Sequence, residues 1–150
     1  MVQAIELAKN NVLTQHGGPF GAVIVKDGLV VASGANRVTA TNDPTAHAEI
    51  VAIRAACAHE GVFHLQGCVL YTSCEPCPMC LGALYWAHIE TVYYAGTKDD
   101  AAAAGFDDSF IYEQLHKPHE QRLIPMHHVM QKEAQEVFSL WRSEHNKIAY

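Results

Sequence analysis

Val69-Leu70-Tyr71-Thr72-Ser73-Cys74-Glu75-Pro76-Cys77-Pro78-Met79-Cys80 is the stretch on which the reading of the chain turns. Its first four residues have the apolar and β-branched character of a short buried strand. Pro78 then stands where a helix begins, since the N–H that proline lacks would have no partner in a first helical turn. That helix extends to His88. Cys77 and Cys80, three apart in its first turn, fall on one side. Clustered with Cys74, they read as metal or reactive chemistry in a reducing compartment rather than as a disulfide framework.

Upstream lies a second helix, predicted over 44–60, with Pro44 at its first position, Asp43 as a cap and Gly61 as its stop. It carries Thr45-Ala46-His47-Ala48-Glu49. Before it, residues 2–16 place Val2, Ile5, Ala8, Val12 and Leu13 at helical spacing, and Gly17-Gly18-Pro19 ends the run. Strands are predicted over 20–26 and 29–35, joined through the turn-favouring Asp27-Gly28, with a polar loop over 36–43. Downstream, strands are expected over 91–95 and 124–130, and helices over 99–104, 109–116 and 131–145. The last helix is expected to bury Val137, Phe138, Leu140 and Trp141. Strands and helices alternate after the opening hairpin, which implies an α/β fold of three α/β/α layers with a mixed central sheet. Without repeat or linker, residues 1–150 are expected to form a single domain, with 118–125 as the one candidate hinge.

Composition narrows the function. Apolar residues make up 49% and charged residues 17%, which is globular. The formal net charge of −6, with scattered Lys and Arg, argues against a polyanionic partner and for a small neutral substrate. No run approaches the roughly 18 apolar residues of a membrane span, and the N-terminus has no signal-like apolar core, so a cytoplasmic protein without membrane partners is expected.

Two thiols and one imidazole make a set of three protein ligands, His47, Cys77 and Cys80, with a fourth tetrahedral position left for water. That is the pattern of a catalytic zinc, one ion per chain. Glu49 would move the protons. Yet residues two apart sit roughly 200° from each other around a helix. His47 and Glu49 can share a site only if it lies beyond the helix end, approached along the axis. Two helix N-termini aimed at one ion would also stabilise thiolates through their dipoles. The alternative is a closed structural site in which Cys74 is the fourth ligand and Glu49 has no role. The joint occurrence of His-x-Glu and Pro-Cys-x-x-Cys favours deaminase chemistry, because both halves belong to one zinc-deaminase signature.

With these motifs the chain resembles the cytidine/deoxycytidylate deaminase superfamily, and within it the branch that acts on guanine. The resemblance is closest over 17–25, 42–49, 71–80 and 104–110. It implies a cytidine deaminase-like fold, His47, Cys77 and Cys80 as zinc ligands, and Glu49 as proton shuttle. It implies that Asn36, the Ala48 amide and Asp108 bind a purine, with Phe20 and Trp86 as aromatic walls. It also implies a homodimer with an exchanged, domain-swapped C-terminal segment whose Tyr150 enters the neighbouring site. From residue chemistry alone other readings stay open. Asn36 could end a strand, Asp107 and Asp108 could cap the next helix, Phe20 and Trp86 could be core, and Tyr150 could be a frayed end. Cys57 and Cys68 read as core thiols and His127-His128 as surface positions. The leading expectation is hydrolysis of guanine to xanthine and ammonia. Adenosine deamination in tRNA, deamination of free cytosine or cytidine, and a non-enzymatic Cys₃His module are the alternatives.

Overall fold

Four strands make one mixed sheet in the order β2-β1-β3-β4: β1 Gly21–Lys26, β2 Leu29–Ala35, β3 Cys68–Cys74 and β4 Thr91–Gly96. This is the computed structural model of the chain, and it describes residues 1–149. β1 pairs antiparallel with β2 and β3, while β3 and β4 run parallel. A parallel pair needs a crossover, and α4 (Pro78–Trp86) supplies it.

Register assigns the faces. Ala22 lies opposite both Gly34 and Thr72, and Ile24 opposite Leu70, so these five residues share one side of the sheet. On that side sits α3 (Ala48–Glu60), so close that a Cβ on Gly34 would lie 2.4 Å from Ala48 O. The opposite side carries α1 (Val2–Leu13), where a Cβ on Gly21 would lie 2.3 Å from Ala4 O. The expected three layers are therefore present. Ile24, Leu65, Cys68, Leu70 and Leu84 fill the core between sheet, α3 and α4, and Ala48, Ala52 and Ala56 let α3 approach. Cys68 is buried there and Cys57 packs against the same cluster.

Three boundaries differ from expectation. The 36–43 loop contains a short helix, α2 (Val38–Thr41). The helix expected from Pro44 starts at Ala48 with His47 as its cap. Asp43 instead closes a local turn, accepting from the Thr45 N–H at 2.8 Å and the Thr45 hydroxyl at 2.7 Å. No strand forms over 124–130. Pro125 has no N–H to give a ladder, and Met130 is left-handed at φ 54° just before the last helix.

Contacts divide the chain into two compact units, Met1–Asp108 and a second beginning at Ser109. The first ends with α5 (Lys98–Ala103), started by a reciprocal capping box between Thr97 and Asp100. The second contains α6 (Ser109–His116), a 3₁₀ turn at His119–Gln121 and α7 (Gln131–Ser143). Within it the Leu123 N–H donates to Gln114 Oε1 at 2.8 Å, and Arg122 Nε donates to Lys117 O at 3.1 Å. None of its described residues is buried. Val137, Phe138, Leu140 and Trp141 are 63%, 64%, 70% and 46% exposed, contrary to the expected burial. α7 has its apolar stripe, and none of these four residues is buried.

Candidate active site

Both metal-binding motifs sit at helix caps, and this resolves the spacing of His47 and Glu49. His47 caps α3 with extended backbone (φ −67°, ψ 158°), and Cys77 caps α4 in the same way (φ −64°, ψ 167°). The His47 side chain makes no capping bond to its own helix. His47 is thus outside the helical spiral, while Glu49 is in the first turn. The 200° separation of two helical residues does not apply, and both can face the space beyond the helix end.

There the donors converge. His47 Nδ1 lies 3.5 Å from Cys77 Sγ and 3.5 Å from Cys80 Sγ. A tetrahedral zinc with Zn–S about 2.3 Å and Zn–N about 2.0–2.1 Å holds its nitrogen and sulfur ligands about 3.6 Å apart. The donor set therefore fits zinc in type, number and spacing. Among the described residues it is the one group of three or more His, Cys, Asp or Glu side chains placed to hold a metal. Cys74 is not part of it: its thiol donates to Thr97 O at 3.5 Å. The closed Cys₃His arrangement is not formed.

The electrostatics suit a cation. The Cys77 thiol is pulled down to about 4, mainly because Cys80 donates to its sulfur and also through the His47 ring and the Cys80 N–H, against burial. Donating to Cys77 pushes Cys80 up, and burial adds to that. The bond to Cys77 also raises His47. Glu49 is 6% exposed, and burial pushes its carboxyl above the ordinary range. Its Oε1 is 3.5 Å from Thr72 Oγ1 and its Oε2 is 3.6 Å from Cys80 Sγ.

Above these groups opens a cavity of about 270 Å³, lined by Phe20, Asn36, His47, Glu49, Cys77 and Asp108 among others. Asn36 Oδ1 accepts from the Gly18 and Val38 N–H groups at 3.4 and 3.3 Å, which leaves its Nδ2 as the group to offer a ligand. The Asp108 carboxyl is raised, chiefly by burial. Ala48 is fully buried at the start of α3, so only its backbone could serve a ligand, where a helix leaves its first N–H groups without helical partners. Trp86 ends α4, is 70% exposed and is not among the residues that line the cavity. Tyr150 lies outside the described residues. Phe106 was missed as a wall: it meets Phe20 edge-on with ring centroids 5.0 Å apart. Glu75 and Lys98 were missed too; both line the cavity, and Glu75 Oε2 accepts from the Lys98 N–H at 3.1 Å. Only the pairing of Phe106 with Asp108 in the 104–110 stretch hinted at its place.

Comparison with known proteins places this geometry. Residues 1–96 match the cytidine and deoxycytidylate deaminase zinc-binding region. Guanine deaminase of Bacillus subtilis (strain 168) is 56% identical over 148 residues, 99% of this chain and 95% of that protein. The X-ray structure of a Bacillus subtilis guanine deaminase superposes with a TM-score of 0.97, covering 99% of this chain and 95% of that one. A guanine deaminase structure from Nitrosomonas europaea is 37% identical with a TM-score of 0.67, over 71% of this chain and 62% of that one. A tRNA-specific adenosine deaminase of Agrobacterium fabrum is 48% identical over 86 residues, 57% of this chain and 56% of that protein. The chain belongs to the cytidine and deoxycytidylate deaminase family of zinc-dependent enzymes.

Proposed function

We propose that this enzyme hydrolyses guanine to xanthine and ammonia, with His47, Cys77 and Cys80 holding one zinc ion and Glu49 carrying the protons. The observation that carries the reading is the meeting of those three donors off two helix caps, beside a buried carboxylate at a purine-sized cavity. Similarity over nearly the whole chain to a guanine deaminase supports the choice of base.

A zinc ion in such a site acts as a Lewis acid and makes water nucleophilic near neutral pH. The protein groups then have separate tasks. Glu49 takes the first proton of the water whose oxygen bonds to C2 and passes it to a ring nitrogen; it then takes the second from the new C2 hydroxyl and delivers it to the departing amine, so that the C–N bond breaks as the C2 carbonyl forms and ammonia leaves. Such proton transfer contributes roughly 10²–10⁴ in rate. Asn36 Nδ2 donates to an acceptor on the ring edge, Asp108 accepts from its N–H groups, and the Ala48 amide assists. Phe20, with Phe106, packs against the ring. A site that bonds donors and acceptors of one base rejects bases lacking them, by roughly 10⁴–10⁵ in the best cases.

The same reading includes a homodimer with exchanged C-terminal segments, in which Tyr150 enters the neighbouring cavity. It draws on the uncovered apolar face of α7. Cytoplasmic purine breakdown is the proposed setting; among the described residues no helix is long and apolar enough to cross a membrane. Adenosine deamination in tRNA is less well supported. The tRNA-specific adenosine deaminase of Agrobacterium fabrum aligns with 57% of this chain, against 99% for the Bacillus subtilis guanine deaminase, and a net charge of −6 opposes a polyanion.

Ammonia release from guanine, adenine, cytosine, their nucleosides and tRNA, measured with zinc-loaded protein, tests the assignment. Guanine should be turned over fastest by several orders of magnitude. Faster release from any nucleoside or from tRNA would replace it.

A further inference from the structure

Resting on the assignment of Glu49 as proton carrier, we infer that Thr72 is the positioning residue that holds its carboxylate in register. Strand β3 presents Cys68, Leu70 and Thr72 to the core, and the first two are apolar in character. Thr72 is 1% exposed, so its hydroxyl is kept from water. A buried hydroxyl is unfavourable unless bonded, and Thr72 Oγ1 is paired with Glu49 Oε1 at 3.5 Å. The one hydroxyl on this face of β3 stands where the strand meets the carboxylate. Thr72 does not line the cavity, so it acts through Glu49 and not on a ligand.

Chemistry explains why a hydroxyl suits the place. The second oxygen of Glu49 has Cys80 Sγ as its neighbour at 3.6 Å. Cys80 belongs to the metal-donor set, and a thiol gives up its proton on binding a metal. Its sulfur then has no hydrogen to offer the carboxylate. Thr72 has no such second duty. A hydroxyl can donate to a carboxylate and still bond its carboxylic acid, so the contact with Oε1 survives as protons are taken and released. Oε1 is therefore the oxygen that Thr72 anchors, and Oε2 is the one that faces the metal donors.

Three variants test this beside wild type: Thr72→Val, which removes the hydroxyl at nearly constant shape, Thr72→Ser, which keeps it, and Glu49→Gln. Thr72→Val should lower kcat for guanine roughly tenfold or more, with KM within about twofold and the melting temperature unchanged or raised. Thr72→Ser should recover most of kcat. In a crystal of metal-free Thr72→Val, the Glu49 carboxylate should leave its position beside residue 72. The double variant Thr72→Val/Glu49→Gln should be no slower than Glu49→Gln alone. Wild-type kcat in Thr72→Val beside an inactive Glu49→Gln overturns the inference and leaves the proton carrier standing. Equal losses in the valine and serine variants overturn it as well, since packing would then be the cause. An active Glu49→Gln would instead remove the assignment of Glu49 itself. Should the valine variant fail to fold, Thr72→Ala makes the same comparison.

Discussion

The first 108 residues and the stretch that follows answer the same kind of sequence pattern in opposite ways. In Met1–Asp108 the apolar positions of β1, β3 and α3 meet one another, and the core they form holds two helix caps against a cavity. From Ser109 onward the apolar positions of α6 and α7 are as clear, yet none is buried. Amphipathic pattern demands that a face be covered; it does not say by which chain. The first unit's chemistry rests on groups it contains. The second unit's role has to be sought in what covers its apolar face.

The sharpest way to break that contrast is to inactivate the first unit without unfolding it. Glu49→Gln should cut turnover by roughly 10²–10⁴ while retaining one zinc per chain by metal analysis. Activity within tenfold of wild type would show that the chemistry does not depend on this carboxylate. Removing the metal should act on the same unit in a second way. Because the three donors sit at the N-terminal ends of α3 and α4, chelation should abolish turnover and lower the melting temperature, and zinc should restore both. A melting curve indifferent to chelator would mean that the ion adds nothing to the fold.

Next in size is the comparison of two leucines. Leu70 is fully buried on β3, and Leu70→Ala should cost about 2–5 kcal/mol in denaturant unfolding. Leu140 on α7 is 70% exposed in the single chain. If α7 is covered by a second copy, Leu140→Asp should shift gel filtration from dimer to monomer. A Leu140→Asp protein that stays dimeric would take α7 out of the interface, and a wild-type protein that runs as an active monomer would remove the exchanged dimer. Deleting Tyr150 sharpens the same point: guanine turnover should fall while zinc content and melting temperature hold.

Much of this was legible in the sequence because the signals were local. β-branched runs marked β1, β2 and β3, Pro78 marked the start of α4, and Cys-x-x-Cys in its first turn gave two donors. The start of α3 was not legible. Pro44 and Asp43 mimic a helix start, but the Asp43 side chain spends its bonds on Thr45 and the chain stays extended to His47. Histidine is a poor cap by propensity, and it stands there because its ring faces the two thiols. Phe106 and Lys98 reach the cavity from a segment with no periodic signal, so only three-dimensional closure reveals them. The burial of α7 was misjudged because a helical stripe carries no information about the chain that covers it.

The smallest effect belongs to the one capping box of the first unit, and its pH dependence can be worked out. Thr97 caps α5: its hydroxyl accepts from the Asp100 N–H at 3.2 Å, while Asp100 Oδ2 accepts from the Thr97 N–H at 2.8 Å. Those return bonds, the backbone one first, hold the Asp100 carboxyl below its ordinary value. A carboxyl depressed in the folded state stabilises it above the unfolded pKa of about 3.9, and that contribution fades as pH falls through the lower folded value. Loss of the threonine side-chain cap in Thr97→Ala should cost about 1 kcal/mol at neutral pH. The same variant should cost less at acid pH, where Asp100 is protonated in both proteins. The difference in unfolding free energy between wild type and Thr97→Ala, followed from pH 7 downward, should shrink. The backbone N–H of residue 97 still reaches Asp100 in the variant, so a constant difference would mean that the bond from the Thr97 hydroxyl to Asp100 Oδ2 adds nothing.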